Sequence, residues 1–139
     1  MSAALELVPL ASVDLEIARA RHIGNGPSGD QWIAEVTSMT VTDDRINATL
    51  AGRSAAYWVT VVGGVGTIDM RALLETHDGA LIYVQYKGRT DATGRVGTTP
   101  AYVTPIFEAG DERYLWLNAI LAVGKSGLSD LKLAHYGWD

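Results

Sequence analysis

Apolar and polar residues alternate with a period of two through most of this chain, which is the pattern of strands with one buried face. WIAEVTSMTVT (residues 32–42) is β-branched and alternating, and Asp43-Asp44 then turns it into RINATLAG. AYWVTVV (56–62) leads through GGVG into TIDMRALLET (67–76). The Asp78-Gly79 pair reads as a two-residue type I′ turn, predicting a hairpin in which His77 faces Ala80 and Arg71 faces Tyr86. ALIYVQYKG is the return strand and GRTDATGRVGTTP a long polar loop. AYVTPIFEAG, ERYLWLNAILAVG and LKLAHYGW supply three further strands. In FEAGDERYLWLN (107–118) and just beyond it, alternation puts Tyr114, Trp116, Asn118 and Ile120 on one face, against Leu115, Leu117, Ala119 and Leu121 on the other. The N-terminal LELVPLASVDLEIARARHI alternates through Leu7, but Asp14 to His22 also suits a short helix. Eight or more short strands at regular spacing indicate an antiparallel barrel or sandwich. A closed barrel is favoured because it leaves no edge exposed.

A length of 139 residues suits one domain, 1–139, with a single continuous core. At 47 % hydrophobic and 19 % charged, the chain is globular rather than disordered. A net charge of −5 argues against a nucleic-acid partner, which calls for a basic face. With no cysteine, disulfides, thiolate catalysis and cysteine-ligated zinc are excluded. No stretch approaches the ~18 apolar residues of a membrane span. The N-terminus lacks the basic start and apolar run of a signal peptide, so a cytoplasmic protein is expected. Six Tyr and four Trp stand against one Phe. A dry core draws on Phe, whereas Tyr and Trp suit pockets and interfaces, where an apolar body carries one hydrogen bond.

Two motif matches fail on context. GNGPSG (24–29) has the spacing G-x-G-x-x-G, but alternating β-branched residues follow it, so no helix N-terminus meets a pyrophosphate; it reads as a turn. AILAVGKS (119–126) resembles a relaxed phosphate loop, yet its apolar residues belong to a strand. His22, His77 and His135 show no paired ligand spacing, so no metal or cofactor is expected. Asp69, Arg71, Glu75 and His77 share one strand face, which in the proposed register also carries Ile82, Val84 and Tyr86. Facing outward, that row is a set of weak surface ion pairs. Facing inward, burial raises the carboxylate pKa values and Arg71 lowers them, the tension by which a general acid or base is tuned. Glu108 suits a turn contact or a base. Asn118, if buried, must satisfy both its donor and its acceptor.

At FEAGDERYLWLN and IDMRALLETHDGALIYVQYKG the chain resembles the family of domains of unknown function numbered 3237. The resemblance is carried by Asp69, Arg71, Thr76, Asp78, Gly79, Ile82 and Gly88, then by Phe107, Glu108, Gly110, Tyr114, Trp116, Leu117 and Asn118. Gly24, Pro27, Gly29, Gly52 and Trp58 fit more loosely. The resemblance implies a small antiparallel calycin-like β-barrel, often self-associating, and a strand at the N-terminus; it carries no catalytic assignment. Where such proteins usually read Gly-Gly-Ala-Asp-Trp, this chain has Ser54-Ala55-Ala56-Tyr57-Trp58, with a phenol in place of the acid.

The resulting expectation is an all-β barrel of eight to ten strands enclosing an aromatic-lined cavity for one small organic molecule. The reading is a cofactor-free acid–base enzyme of isomerase, cyclase or lyase type, acting on an aromatic or polyketide-like carbonyl compound in secondary metabolism. Tyr57 is the expected proton donor, Arg71 and Asn118 bind the carbonyl or carboxylate, and Glu108 or Asp69 is the base. Trp58, Tyr83, Tyr114 and Trp116 line the cavity. The alternatives are a non-catalytic carrier or sensor barrel, and a homodimer whose aromatic face is the subunit contact.

Overall fold

A computed structural model describes residues 4–94, 99–127 and 130–136, with the side chains of 130 and 136 left aside. The expected loop residues 95–98 and the end of the last expected strand, Gly137 and Trp138, lie outside the described residues. The strands are β1 (Leu7–Ile17), β2 (Arg21–Gly26), β3 (Gly29–Thr42), β4 (Asn47–Leu50), β5 (Ala56–Val62), β6 (Val65–Thr76), β7 (Leu81–Asp91), β8 (Ala101–Ala109), β9 (Ala122–Ser126) and β10 (Asp130–Tyr136). A 3-10 helix spans Glu112–Ala119. The N-terminal ambiguity resolves to strands, without a helix.

All pairings are antiparallel, and β1 joins both β10 and β3, which closes the sheet. Ten strands occupy eight positions around the barrel. The two ends of β3 take different partners: β5 pairs with Asp30–Glu35 and β4 with Thr40–Thr42, so both sit between β3 and β6. On its other edge β3 meets β1 along Val36–Thr42 and β2 along Gly29–Ile33. The all-β antiparallel barrel is as expected.

Alternation sets what points inward. Ile68, Met70, Ala72, Leu74 and Thr76 of β6 are buried, as are Ile82, Val84 and Tyr86 of β7 and Val103 and Phe107 of β8. Leu10, Met70, Leu74, Ile82, Leu117 and Leu131 are at most 1 % exposed, so aliphatic side chains fill the middle. The wide hollow expected there is replaced by packed core.

Two local readings are corrected. Only glycines have positive φ among the described residues, so Asp78 cannot take the first position of the expected Asp78-Gly79 type I′ turn. Instead Gly79 donates to Thr76 O (3.0 Å) and Thr76 N to Ala80 O (2.8 Å), giving a three-residue loop with Gly79 at φ +90°. Arg71 therefore opposes Gln85, not Tyr86. That one-residue slip moves Ile82, Val84 and Tyr86 onto the core face with Met70 and takes them away from Arg71. The type I′ geometry occurs at Gly63-Gly64 (φ +59° and +78°), which joins Val62 to its partner Val65. GNGPSG is indeed a turn, with Gly26 opposite Gly29.

The second correction is the run after Gly110, which is helical rather than extended. Asp111 caps it, its side chain accepting from Arg113 N (3.0 Å), and Tyr114 N donates to Asp111 O (2.9 Å), an i→i+3 bond. Tyr114, Leu117 and Ile120 are buried at intervals of three, the 3-10 repeat, which prevails over the apparent alternation.

Candidate functional site

Five of the expected site residues share the outer wall. Trp58 opposes Asp69, and Asp69 opposes Lys87; Arg71 opposes Gln85; Tyr83 opposes Glu108. These positions alternate with the buried ones, so Asp69, Arg71, Trp58, Tyr83 and Glu108 face away from the core. Of the two orientations open to the Asp69/Arg71 row the outward one holds, because the three-residue hairpin loop sets Ile82, Val84 and Tyr86 on the core face with Met70, Ala72 and Leu74. Asp69 Oδ1 is buried without a hydrogen-bond partner among the described residues. Arg71 and Glu108 are exposed and enter no ion pair among the described residues. An open cleft of about 410 Å³ lies beside this wall, lined by Ile106 to Gly110 and Asn118.

Tyr114, Trp116 and Asn118 belong to the helix that closes one end of the barrel. Asn118 grips a single residue: Oδ1 accepts from Ala109 N and Nδ2 donates to Ala109 O, both 2.8 Å. Its amide is spent on the end of β8. Tyr114 is buried, and its hydroxyl donates to Asp78 Oδ1 (2.8 Å) on the β6–β7 loop. Thr76 Oγ1 donates to the same oxygen (2.5 Å), and Arg113 pairs with Asp78 Oδ2 at 3.1 Å and Asp111 Oδ2 at 2.8 Å. Trp116 packs on the core beneath Arg45, whose guanidinium lies 4.8 Å from the ring centre. The Thr76 hydroxyl, first, and then Tyr114 and Arg113 hold the Asp78 carboxyl below its ordinary range; bonds from Arg113 bring Asp111 down to about 2. Burial, followed by the bond to Asp78, raises the Tyr114 phenol. The cluster locks the helix across the β3–β4 and β6–β7 turns.

Of the expected catalytic set, only Tyr57 points inward. It opposes Met70, which opposes Tyr86, so two phenols flank one methionine on the inner wall. Burial raises both phenol pKa values, and Tyr86 is raised further by its proximity to Tyr57. Neither hydroxyl has a hydrogen-bond partner among the described residues; Tyr57 is half-buried and Tyr86 is buried at 3 % exposure. Inward-facing groups are accessible toward this end: Trp32, Tyr57 and Val61 are half-buried, and Ile17, opposite the buried Val36, is 41 % exposed.

The same face carries a group that sequence reasoning missed. His22 opposes Trp32, and its ring stacks on the indole at 3.9 Å and 16°. Its Nε2 meets Asp30 Oδ1. A bulge at Ile23, with Gly24 at φ +99°, restores the pairing beyond His22. Gly29 (φ +120°) seats the hairpin tip on β5, where a Cβ would stand 2.4 Å from Val62 Cγ2. The legible signal was the GNGPSG turn itself: a hairpin closed at Pro27-Ser28 brings residues 22 and 30–32 together whatever their sequence separation. Among the described residues no three His, Asp or Glu side chains converge as a metal site requires.

Comparison with known proteins places this geometry. The model of a family described as "Protein of unknown function (DUF3237)" matches residues 5–132. A β-barrel-like protein from Acinetobacter baumannii is similar at 28 % identity over 98 % of both chains, with a TM-score of 0.80. A conserved protein of unknown function from Rhodopseudomonas palustris shares the fold at 19 % identity, over 98 % of this chain and 100 % of that one (TM-score 0.86). An enzyme from Penicillium herquei shares it at 20 % identity, over 99 % and 98 % of the two chains (TM-score 0.80). No curated protein matches the sequence.

Proposed function

The chain belongs to the DUF3237 family, and we propose that it is an acid–base enzyme, isomerase, cyclase or lyase in type, for a small flat carbonyl compound bound at the accessible end of the barrel. The observation that carries this reading is the inward Tyr57–Tyr86 pair, whose hydroxyls lack hydrogen-bond partners among the described residues. Kept protonated by burial, such phenols donate hydrogen bonds to a carbonyl oxygen and stabilise the enolate that forms when the substrate loses a proton. The description of one structural neighbour as an enzyme supports catalysis on this fold.

The test is a panel of planar conjugated ketones, followed by Trp fluorescence, melting temperature and product analysis. Tyr57→Phe is expected to keep the melting temperature and lose at least about tenfold in turnover, the low end for one proton-handling group. Unchanged turnover removes Tyr57 from the chemistry. Compounds that raise the melting temperature but are never converted make the protein a carrier or sensor.

A second reading concerns the outer wall, where Asp69 Oδ1 is buried without a partner among the described residues while Arg71 and Lys87 are exposed. A two-fold contact between copies would set these acids and bases against each other. Sedimentation of a monomer at all concentrations, with concentration-independent melting, rejects it.

A further inference from the structure

We propose that His22, held by Asp30 and stacked on Trp32, is the proton-accepting group of this protein, and that its substrate is a fused-ring ketone or enol lying along the inner wall between His22 and Tyr57. The inference rests on the reading of the barrel mouth given above and supplies the base which that reading lacks. Asp69 and Glu108 face away from Tyr57 and cannot share a substrate with it on the inner wall.

Three observations carry it. First, a carboxylate oxygen only accepts, so its contact with Nε2 places the ring proton there and leaves Nδ1 with a free lone pair. Second, the 3.9 Å stack on Trp32 fixes the ring plane, so the base is oriented before a ligand arrives. Third, the His22 side chain is 46 % exposed, so a ligand can reach it, while Trp32 behind it packs on the core. Strand geometry sets the scale. Tyr57 opposes Ala34, two residues along β3 from Trp32, so His22 and Tyr57 lie two strand spacings and one side-chain repeat apart. Their Cβ atoms are then roughly 12 Å apart, a gap that a molecule of two or three fused rings bridges.

The chemistry balances without an external reagent. Nδ1 takes a proton from the carbon beside the carbonyl, the C–H electrons form the enolate, and its oxygen accepts a hydrogen bond from Tyr57. The imidazolium returns the proton to another atom of the conjugated system, regenerating neutral His22 and an isomer of the substrate. Asp30 is a positioning residue, holding the tautomer and balancing the transient imidazolium.

The experiment uses 2-tetralone, a fused bicyclic ketone, in D2O, with NMR reading both exchange at its α-carbon and saturation transfer from the protein. The native chain is expected to bind it and to accelerate exchange. His22→Gln should bind as well but exchange at least about a hundredfold more slowly. Asp30→Asn should lose about tenfold, and serves as the second variant should His22→Gln fail to fold. Exchange that persists in His22→Gln at the native rate overturns the assignment while leaving the barrel reading in place. Binding without exchange in the native chain does the same. Absence of binding sinks the barrel reading, and this proposal with it.

Discussion

At the closed end the hydroxyl of Tyr114 ends on Asp78, and the amide of Asn118 ends on Ala109 twice. At the mouth the hydroxyls of Tyr57 and Tyr86 end on no described protein group. The same residue types serve opposite purposes. Partnered polar groups over an aliphatic core make the closed end a lock; unpartnered ones over a half-exposed wall leave the mouth to the ligand proposed for it. The residues that carry the family resemblance around Thr76–Gly79 and Phe107–Asn118 belong largely to the lock, which explains why a specific motif sits apart from the proposed chemistry.

Breaking the lock has the largest expected effect on stability. Leu117 is 1 % exposed, and Leu117→Ala should cost about 2–5 kcal/mol, read by chemical denaturation. A cost under 1 kcal/mol would mean that the helix does not plug the barrel. Tyr114→Phe removes one bond to Asp78 and should cost on the order of 1 kcal/mol, whereas Tyr57→Phe should cost nothing measurable. Equal losses would erase the distinction between the two ends.

Acid sharpens the comparison. The carboxyls of Asp78 and Asp111 titrate below their ordinary 3.8 in the folded chain, Asp111 at about 2. A depressed folded-state pKa contributes stability that is present above the unfolded value and is lost as pH falls through the folded one. Between pH 4 and 2, amide exchange in residues 109–119 should therefore accelerate before that in the middle of β6 and β7. Simultaneous release would assign the acid sensitivity elsewhere. The smallest effect is expected on the outer wall, where Arg71→Ala should stay within about 0.5 kcal/mol for a single copy of the chain.

The period-two runs of β3, β5, β6, β7 and β8 made the all-β barrel legible in advance, because a buried face imposes that period on any strand that borders a core. Two places misled. The Asp78-Gly79 pair suggested the shortest hairpin, and a loop longer by one residue reversed which side chains accompany Arg71. The stretch after Asp111 carried a cap and an apolar spacing of three, but its alternating letters masked both.

Alternation along this chain by itself determined the all-β class and most of the strands, since those follow from local geometry and the burial of apolar surface. Tertiary structure alone decided that Tyr57 looks inward beside Tyr86, that Arg71 and Glu108 look outward, and that His22 meets Asp30 on the ring of Trp32. Those relations depend on loop lengths and cross-strand register, and a shift of one residue in either turns a side chain to the opposite face.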